Sequence, residues 1–214
     1  MTLDFYRGRR VMITGGLGFI GSNLALRLRE LGARVTIVDA LIPEHGGDRR
    51  NLDPHFDAFR IELLDMRRAA PLRNLVREQQ FIFHLAGQVC HLTSLQDPFP
   101  DIDMNIKGTA VVMEAVRRRN PRARVIYTGT FSKVLFPSLR IGYLVVPPDR
   151  PDLVDAFIAG RVMIDLQLAT IPQAALADFI EEGHFTRHLR RMRSLYGSRQ
   201  SLLLETAKAE LSGL

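Results

Sequence analysis

Arg10-Val11-Met12-Ile13-Thr14-Gly15-Gly16-Leu17-Gly18-Phe19-Ile20-Gly21 opens the stretch whose reading decides the fold. Its first five residues form a short apolar run, as expected of a strand covered on both faces. A glycine turn follows at once, then Ser22 to Leu31 with helical periodicity, then Val35-Thr36-Ile37-Val38 closed by Asp39. Strand, glycine turn, helix, strand and acid is the order in which a βαβ unit receives a phosphate-bearing ligand. Gly15 permits the tight turn, Gly18 lets the backbone approach a pyrophosphate, and Gly21 lets the helix pack closely on the strand. The helix start, with Phe19 and Ile20, offers free N–H groups and a positive dipole end. Asp39 can accept hydrogen bonds from a ribose diol and would repel a 2′-phosphate. A dinucleotide partner is therefore expected, NAD in preference to NADP.

Working outward, 214 residues with 46% hydrophobic and 24% charged side chains describe a globular chain rather than a disordered one. No apolar run approaches the roughly 20 residues that span a bilayer, and no secretory leader is legible, so no membrane association is expected. The single Cys90 fits a reducing cytoplasmic setting. The net charge of +6 falls on arginine clusters at Arg117-Arg118-Arg119 and between Arg187 and Arg193. Both are interleaved with apolar positions as on a solvated helix face, so no nucleic-acid partner is expected. His184 and His188 stand one helical turn apart near Glu181 without a third ligand, so no metal site is assigned.

The spacing Gly-x-x-Gly-x-x-Gly at Gly15, Gly18 and Gly21 resembles the extended short-chain dehydrogenases, the NAD-dependent nucleotide-sugar epimerases and dehydratases. The likeness continues through Asp65-Met66, Phe81-Ile82-Phe83-His84-Leu85-Ala86-Gly87-Gln88, Asp97-Pro98, Asp103-Met104-Asn105-Ile106-Lys107-Gly108-Thr109 and Val125-Ile126-Tyr127-Thr128-Gly129-Thr130. It implies Asp65 and Met66 at adenine, Leu85, Ala86, Gly87 and Asn105 toward the nicotinamide side, and Thr130 as a remnant of the family's catalytic Ser/Thr. That family also needs Tyr-x-x-x-Lys, in which lysine lowers the pKa of a phenolic base. Tyr6, Tyr127, Tyr143 and Tyr196 are followed four residues on by Arg10, Phe131, Pro147 and Gln200. Without the tuned base, efficient epimerase or dehydratase turnover is not expected. The family's sugar-binding domain is also missing from these residues.

From Gly129 to Pro147 the chain resembles a second family. Gly129-Thr130-Phe131-Ser132-Lys133, with Arg140-Ile141-Gly142-Tyr143 beyond, is similar to the cofactor-lysine region of fold-type I pyridoxal-phosphate enzymes, the aminotransferase-like domain of MocR-type regulators above all. That likeness implies Lys133 as Schiff-base lysine and Thr130, Ser132 and Arg140 as phosphate contacts. The upstream segments that supply the pyridine-nitrogen partner and the stacking aromatic are replaced by the dinucleotide half, so productive pyridoxal-phosphate binding is not expected. The winged helix and carboxylate-binding arginine of that family are not found either. The expectation is a chimera, with residues 1–130 as an NAD-binding Rossmann part and 131–214 as aminotransferase-derived elements completing the same domain.

Strands are expected near 10–14, 34–38, 57–61, 80–84 and 124–128, and helices near 19–31, 71–78 and 102–119. This is a three-layer, doubly wound α/β sheet of five parallel strands. An antiparallel sixth strand is expected over 141–146, followed by helices near 151–165, 173–182 and 184–211. The loop Leu41–Pro54 is placed at the adenosine pocket, and Val162, Met163, Ile164, Leu166 and Leu168 in core or interface. The apolar C-terminal helices are candidates for a homodimer contact. Four functions stay open: NAD binding without efficient catalysis, a residual NAD-dependent oxidoreductase, a pyridoxal-phosphate protein built on Lys133, and a fold-only recombinant.

Overall fold

The computed structural model describes residues 4–43, 45–88, 97, 99–165 and 169–210. They fall into two compact units, Met1–Ala123 and Arg124–Leu214. No helix among the described residues is long and apolar enough to cross a membrane.

The first unit begins with β1 (Arg10–Thr14), α1 (Phe19–Glu30) and β2 (Arg34–Asp39). It continues with β3 (Arg60–Leu63), α2 (Ala69–Val76), β4 (Phe81–His84) and α3 (Thr109–Arg119), the last entered through a π-helical stretch, Ile102–Gly108. The four strands form one parallel sheet in the order β3-β2-β1-β4. Alternation within the strands sends side chains to opposite faces. Val11, Ile13, Val35 and Ile37 pack with Ala25 and Leu28 of α1; Met12 and Val38 pack with Leu72 and Val76 of α2 and Val112 and Val116 of α3. Chain order reverses between β1 and β4, and in such sheets a ligand crevice opens beyond the carboxyl ends of those two strands.

The second unit carries a hairpin, β5 (Tyr127–Thr130) and β6 (Gly142–Val145), and three helices, α4 (Pro151–Asp165), α5 (Thr170–Glu181) and α6 (His184–Glu210). Gly129 lies opposite Tyr143, and a Cβ at Gly129 would come within 2.3 Å of that ring, so the aromatic occupies the room the glycine leaves. The Tyr143 hydroxyl is held above the ordinary phenol range, chiefly by its hydrogen bond with Tyr127.

The doubly wound α/β class stands, and the sixth strand is antiparallel to its predecessor as expected, but the fifth parallel strand is not formed. β5 pairs with β6 in a separate two-stranded sheet. The boundary expected at 130/131 would cut that hairpin; the division falls at Ala123/Arg124 instead. All three side chains of the apolar run Val125-Ile126-Tyr127, in the strand expected near 124–128, are exposed. Val162, Met163 and Ile164 also miss the core, with Met163 86% exposed. Cys90, Pro98, Leu166 and Leu168 lie outside the described residues.

Arg117 and Arg118 on α3 both pair with Glu114, whose carboxyl they hold down at about 2. His184 pairs with Glu182 at 3.0 Å, and the described residues contain no cluster able to hold a metal ion.

Candidate functional site

Beyond the carboxyl ends of β1, β2 and β4 lies a cleft of about 380 Å³. The glycine turn forms its floor. Gly15 has φ +69°, and a Cβ there would come within 2.8 Å of the Ala86 backbone. Only glycine allows β4's outgoing loop to press on the turn in this way. Gly18 caps α1 with no side-chain acceptor, so the first-turn amides remain for an external one.

Asp39 holds this turn together. Its Oδ2 accepts the Leu17 N–H at 3.0 Å and its Oδ1 the Leu41 N–H at 2.9 Å. The Leu17 carbonyl in turn accepts from the Asp48 N–H and the Asn51 side chain. The segment after β2 is thereby fastened to the glycine turn, and Ile42, His45, Gly46 and Gly47 join the cleft wall. A carboxylate has about four acceptor positions, so each Asp39 oxygen keeps capacity for a ligand.

Gly15, Gly18, Phe19, Ile20, Gly21, Asp39, Asp65, Met66, Leu85, Ala86 and Gly87 all line this cleft. Asp65 is gripped by Arg67, which holds its carboxyl below the usual carboxylate range. Asn105 has a different place from the one expected: it is not among the lining residues. Its Oδ1 accepts the Gln88 N–H at 2.7 Å, and its Nδ2 donates to the Gln88 carbonyl and to Asp101. Both amide hydrogens are used, so Asn105 fastens the loop after β4 and has none left to donate to a ligand. No lysine or arginine lines the cleft among the described residues.

Sequence reasoning missed the polar link beneath the turn. The buried Thr14 hydroxyl accepts the Leu85 and Ala86 N–H groups, each at 3.2 Å, and lies 2.7 Å from His84 Nδ1. With both lone pairs taken, Thr14 must donate to Nδ1. His84 therefore carries its hydrogen on Nε2, which donates to Thr109 at 3.0 Å. Burial lowers the His84 pKa from its ordinary 6.5. Below pH 6.5 the unfolded chain binds this proton more readily than the folded one, so the stabilisation is full above that pH and drains as pH falls toward the folded value. His84→Gln is expected to flatten the fall in melting temperature between about pH 7 and 5.5; an unchanged slope would detach His84 from it.

Thr130, Ser132, Lys133 and Arg140 belong to the second unit, at the connection between β5 and β6. Thr130 Oγ1 donates to the Ile141 carbonyl at 3.3 Å and accepts the Ser132 N–H at 3.2 Å. Lys133 is exposed. Arg140 sits in the left-handed region at φ +50°, uncommon for a residue with a Cβ.

The site geometry can be set beside known proteins. The chain is 43% identical over 112 residues to the probable rhizopine catabolism regulatory protein MocR of Rhizobium meliloti, which takes in 52% of this chain and 22% of that protein. It is 38% identical over 121 residues to dTDP-glucose 4,6-dehydratase of Mycolicibacterium smegmatis, 56% of this chain and 36% of that enzyme. Among solved structures, epimerase Mth375 of Methanothermobacter thermautotrophicus matches 55% of this chain and 34% of its own, with 29% identity and a TM-score of 0.50. The chain thus spans little more than a third of these relatives at most. The sequence pattern of the NAD dependent epimerase/dehydratase family runs through residues 11–138, from the first residues of β1 to beyond β5. With that pattern over more than half its length, and the glycine turn and acid of β2 facing one cleft, the chain belongs to the NAD dependent epimerase/dehydratase family.

Proposed function

We propose that the first unit binds NAD(H) in the cleft of the glycine turn, and that the chain turns over nucleotide sugars poorly or not at all. The observation that carries this reading is the convergence of Gly15, Gly18, Gly21, Asp39 and the loop Leu85–Gly87 on one cavity. The pyrophosphate would rest on the N-terminus of α1 and the adenosine ribose on Asp39. Two carboxylates and no cation among the described lining residues favour NAD, since a 2′-phosphate would meet repulsion without compensation.

For the second unit we propose a scaffold derived from an aminotransferase-like regulator, joined to the epimerase half near β5. The likeness to the MocR protein, 43% identity over 112 residues, is what prompts this reading. Pyridoxal phosphate is not its expected ligand: the Thr130 hydroxyl is already committed to Ile141 and Ser132, and Lys133 is exposed. The apolar side chains exposed on α4 and α6, among them Ile164 and Leu203, support pairing with a second copy.

Thermal-shift titration with NAD, NADP and pyridoxal phosphate tests the reading: only the dinucleotides, NAD the more strongly, are expected to raise the melting temperature. Asp39→Ala also strips acceptors from the Leu17 and Leu41 amides, which should weaken both dinucleotides, so the diagnostic quantity is the NAD-to-NADP affinity ratio. A hydrogen bond to a charged group contributes about 1.5–3 kcal/mol, so the ratio should fall roughly tenfold or more. An unchanged ratio would take Asp39 off the ribose.

A further inference from the structure

The end of the parallel sheet away from the cleft carries the opposite charge. An open groove of about 440 Å³ lies there, lined by Arg10 of β1, Arg29 of α1, Arg34 of β2 and Arg60 of β3. Strand pairing brings three of them together: Arg10 is in register with Arg34, and Thr36 with Arg60. Alternation puts Arg10, Arg34, Thr36 and Arg60 on the sheet face that Met12 and Val38 bury further along β1 and β2. Thr36, only 8% exposed, forms the floor between them.

The protein itself neutralises only part of this charge. Arg60 pairs with Glu62 at 2.8 Å. Arg10 donates its Nε–H to the Glu78 carbonyl at 2.6 Å, which anchors the guanidinium and leaves both Nη groups available. The Arg29 and Arg34 side chains have no hydrogen-bond or ion-pair partner among the described residues. Glu78 is the one carboxylate among the described lining residues, and it makes no ion pair with them. Neighbouring strands lie about 4.8 Å apart, and like charges directly opposite one another on them are destabilising. An anion held between Arg10 and Arg34 turns that repulsion into charge-assisted hydrogen bonds, and a guanidinium matches two phosphate oxygens at once.

We propose that this groove is a second ligand site of the first unit, taking a small molecule that carries a di- or triphosphate, with Arg10, Arg29 and Arg34 as its phosphate contacts. Three guanidinium groups from three different elements match more than one phosphate. The arginines converge on one groove instead of spreading along a surface, and Glu78 would repel the successive phosphates of a continuous polymer. A compact anion therefore fits better than a nucleic-acid backbone. The length of β1, roughly 13 Å of strand, separates this groove from the glycine turn, so the site is independent of the dinucleotide reading.

The test is titration of the full chain with inorganic pyrophosphate, read by amide NMR shifts and by calorimetry at about 0.15 M salt, where remote surface charges are screened. Shifts are expected at Arg34, Val35 and Thr36, and they should persist in Asp39→Ala. Arg34→Gln and Arg29→Gln should each weaken pyrophosphate about tenfold, as for one hydrogen bond to a charged group. Arg27→Gln removes the same charge outside the groove, where Arg27 pairs with Glu30, and should change affinity by less than about twofold. Without anion, Arg34→Gln should melt no lower than wild type, because it relieves the pairing with Arg10. Shifts confined to Gly15–Gly21, or none at all, overturn the proposal. So does equal weakening by Arg27→Gln and Arg34→Gln, or a DNA duplex that binds through Arg34 while pyrophosphate does not bind. Failure of NAD to bind would remove the dinucleotide reading and leave this site standing.

Discussion

Gly21→Ala is expected to lower the melting transition of the first unit by about 10 °C and to remove measurable NAD binding, a net destabilisation of about 2 kcal/mol in a domain of this size. Two effects oppose each other. Alanine in place of glycine in a helix is favourable by about 1 kcal/mol. Against this, the new methyl would sit 2.2 Å from the Gly15 carbonyl oxygen and 2.7 Å from the Gly16 α-carbon. These are backbone atoms of the turn itself, and they cannot swing aside as a side-chain end would. Overpacking of this kind costs typically 1–3 kcal/mol and sometimes more, so the clash outweighs the helix gain. Relief would require α1 to lift from β1, moving the first-turn amides away from the pyrophosphate position. Gly197→Ala is the matched control: Gly197 lies within α6 with no atom near its added Cβ, so the same change should be neutral or stabilising. Differential scanning calorimetry of both variants decides the matter; a Gly21→Ala protein that melts and binds NAD like wild type would refute the close-packing role of Gly21.

Epimerisation or dehydration of UDP-, dTDP- or GDP-sugars by the pure chain is expected to fall below detection. General acid–base catalysis by a positioned group contributes about 10²–10⁴ in rate, and none of the four tyrosines is followed four residues on by a lysine. Tyr127 and Tyr143 bond to each other on the hairpin, and that contact raises the Tyr143 pKa, the opposite of the shift a base near neutrality needs. Lys133 is not placed four residues after any tyrosine. The measurement is product formation with NAD present. Turnover that disappears in Asp39→Ala would establish an active site built from other residues and overturn this expectation.

The first unit was legible because its signals are local. Val11 to Ile13 and Val35 to Val38 are buried on both faces, and their continuous hydrophobicity gave strand limits that match the structure to within a residue. Eleven of the twelve assigned cofactor residues line one cleft because they follow the carboxyl ends of those strands. Asn105 escaped because sequence order does not say whether an amide faces a ligand or the Gln88 backbone. The fifth strand was misplaced for a related reason: Val125-Ile126-Tyr127 has the composition of a central strand, but its pairing depends on what lies opposite. Tyr143 over Gly129 is a pairing signal only once the two are known to be neighbours. The Thr14–His84–Thr109 link carries no pattern at all, because its meaning lies in which lone pairs are already occupied.

The tyrosine pair on the hairpin also gives the molecule an optical division of labour. The chain has no tryptophan and four tyrosines. Tyr6 alone lies in the first unit, edge-on to Phe81 of β4 at 5.3 Å, while the hairpin pair and Tyr196 lie in the second. Ultraviolet absorbance and emission of the native chain are thus dominated by Arg124–Leu214, and Tyr143 there ionises above the ordinary phenol range while the hairpin holds its hydrogen bond. Loss of that elevation reports opening of the hairpin without a label. Mutating Tyr6 alone would leave a spectroscopic signal belonging entirely to the second unit.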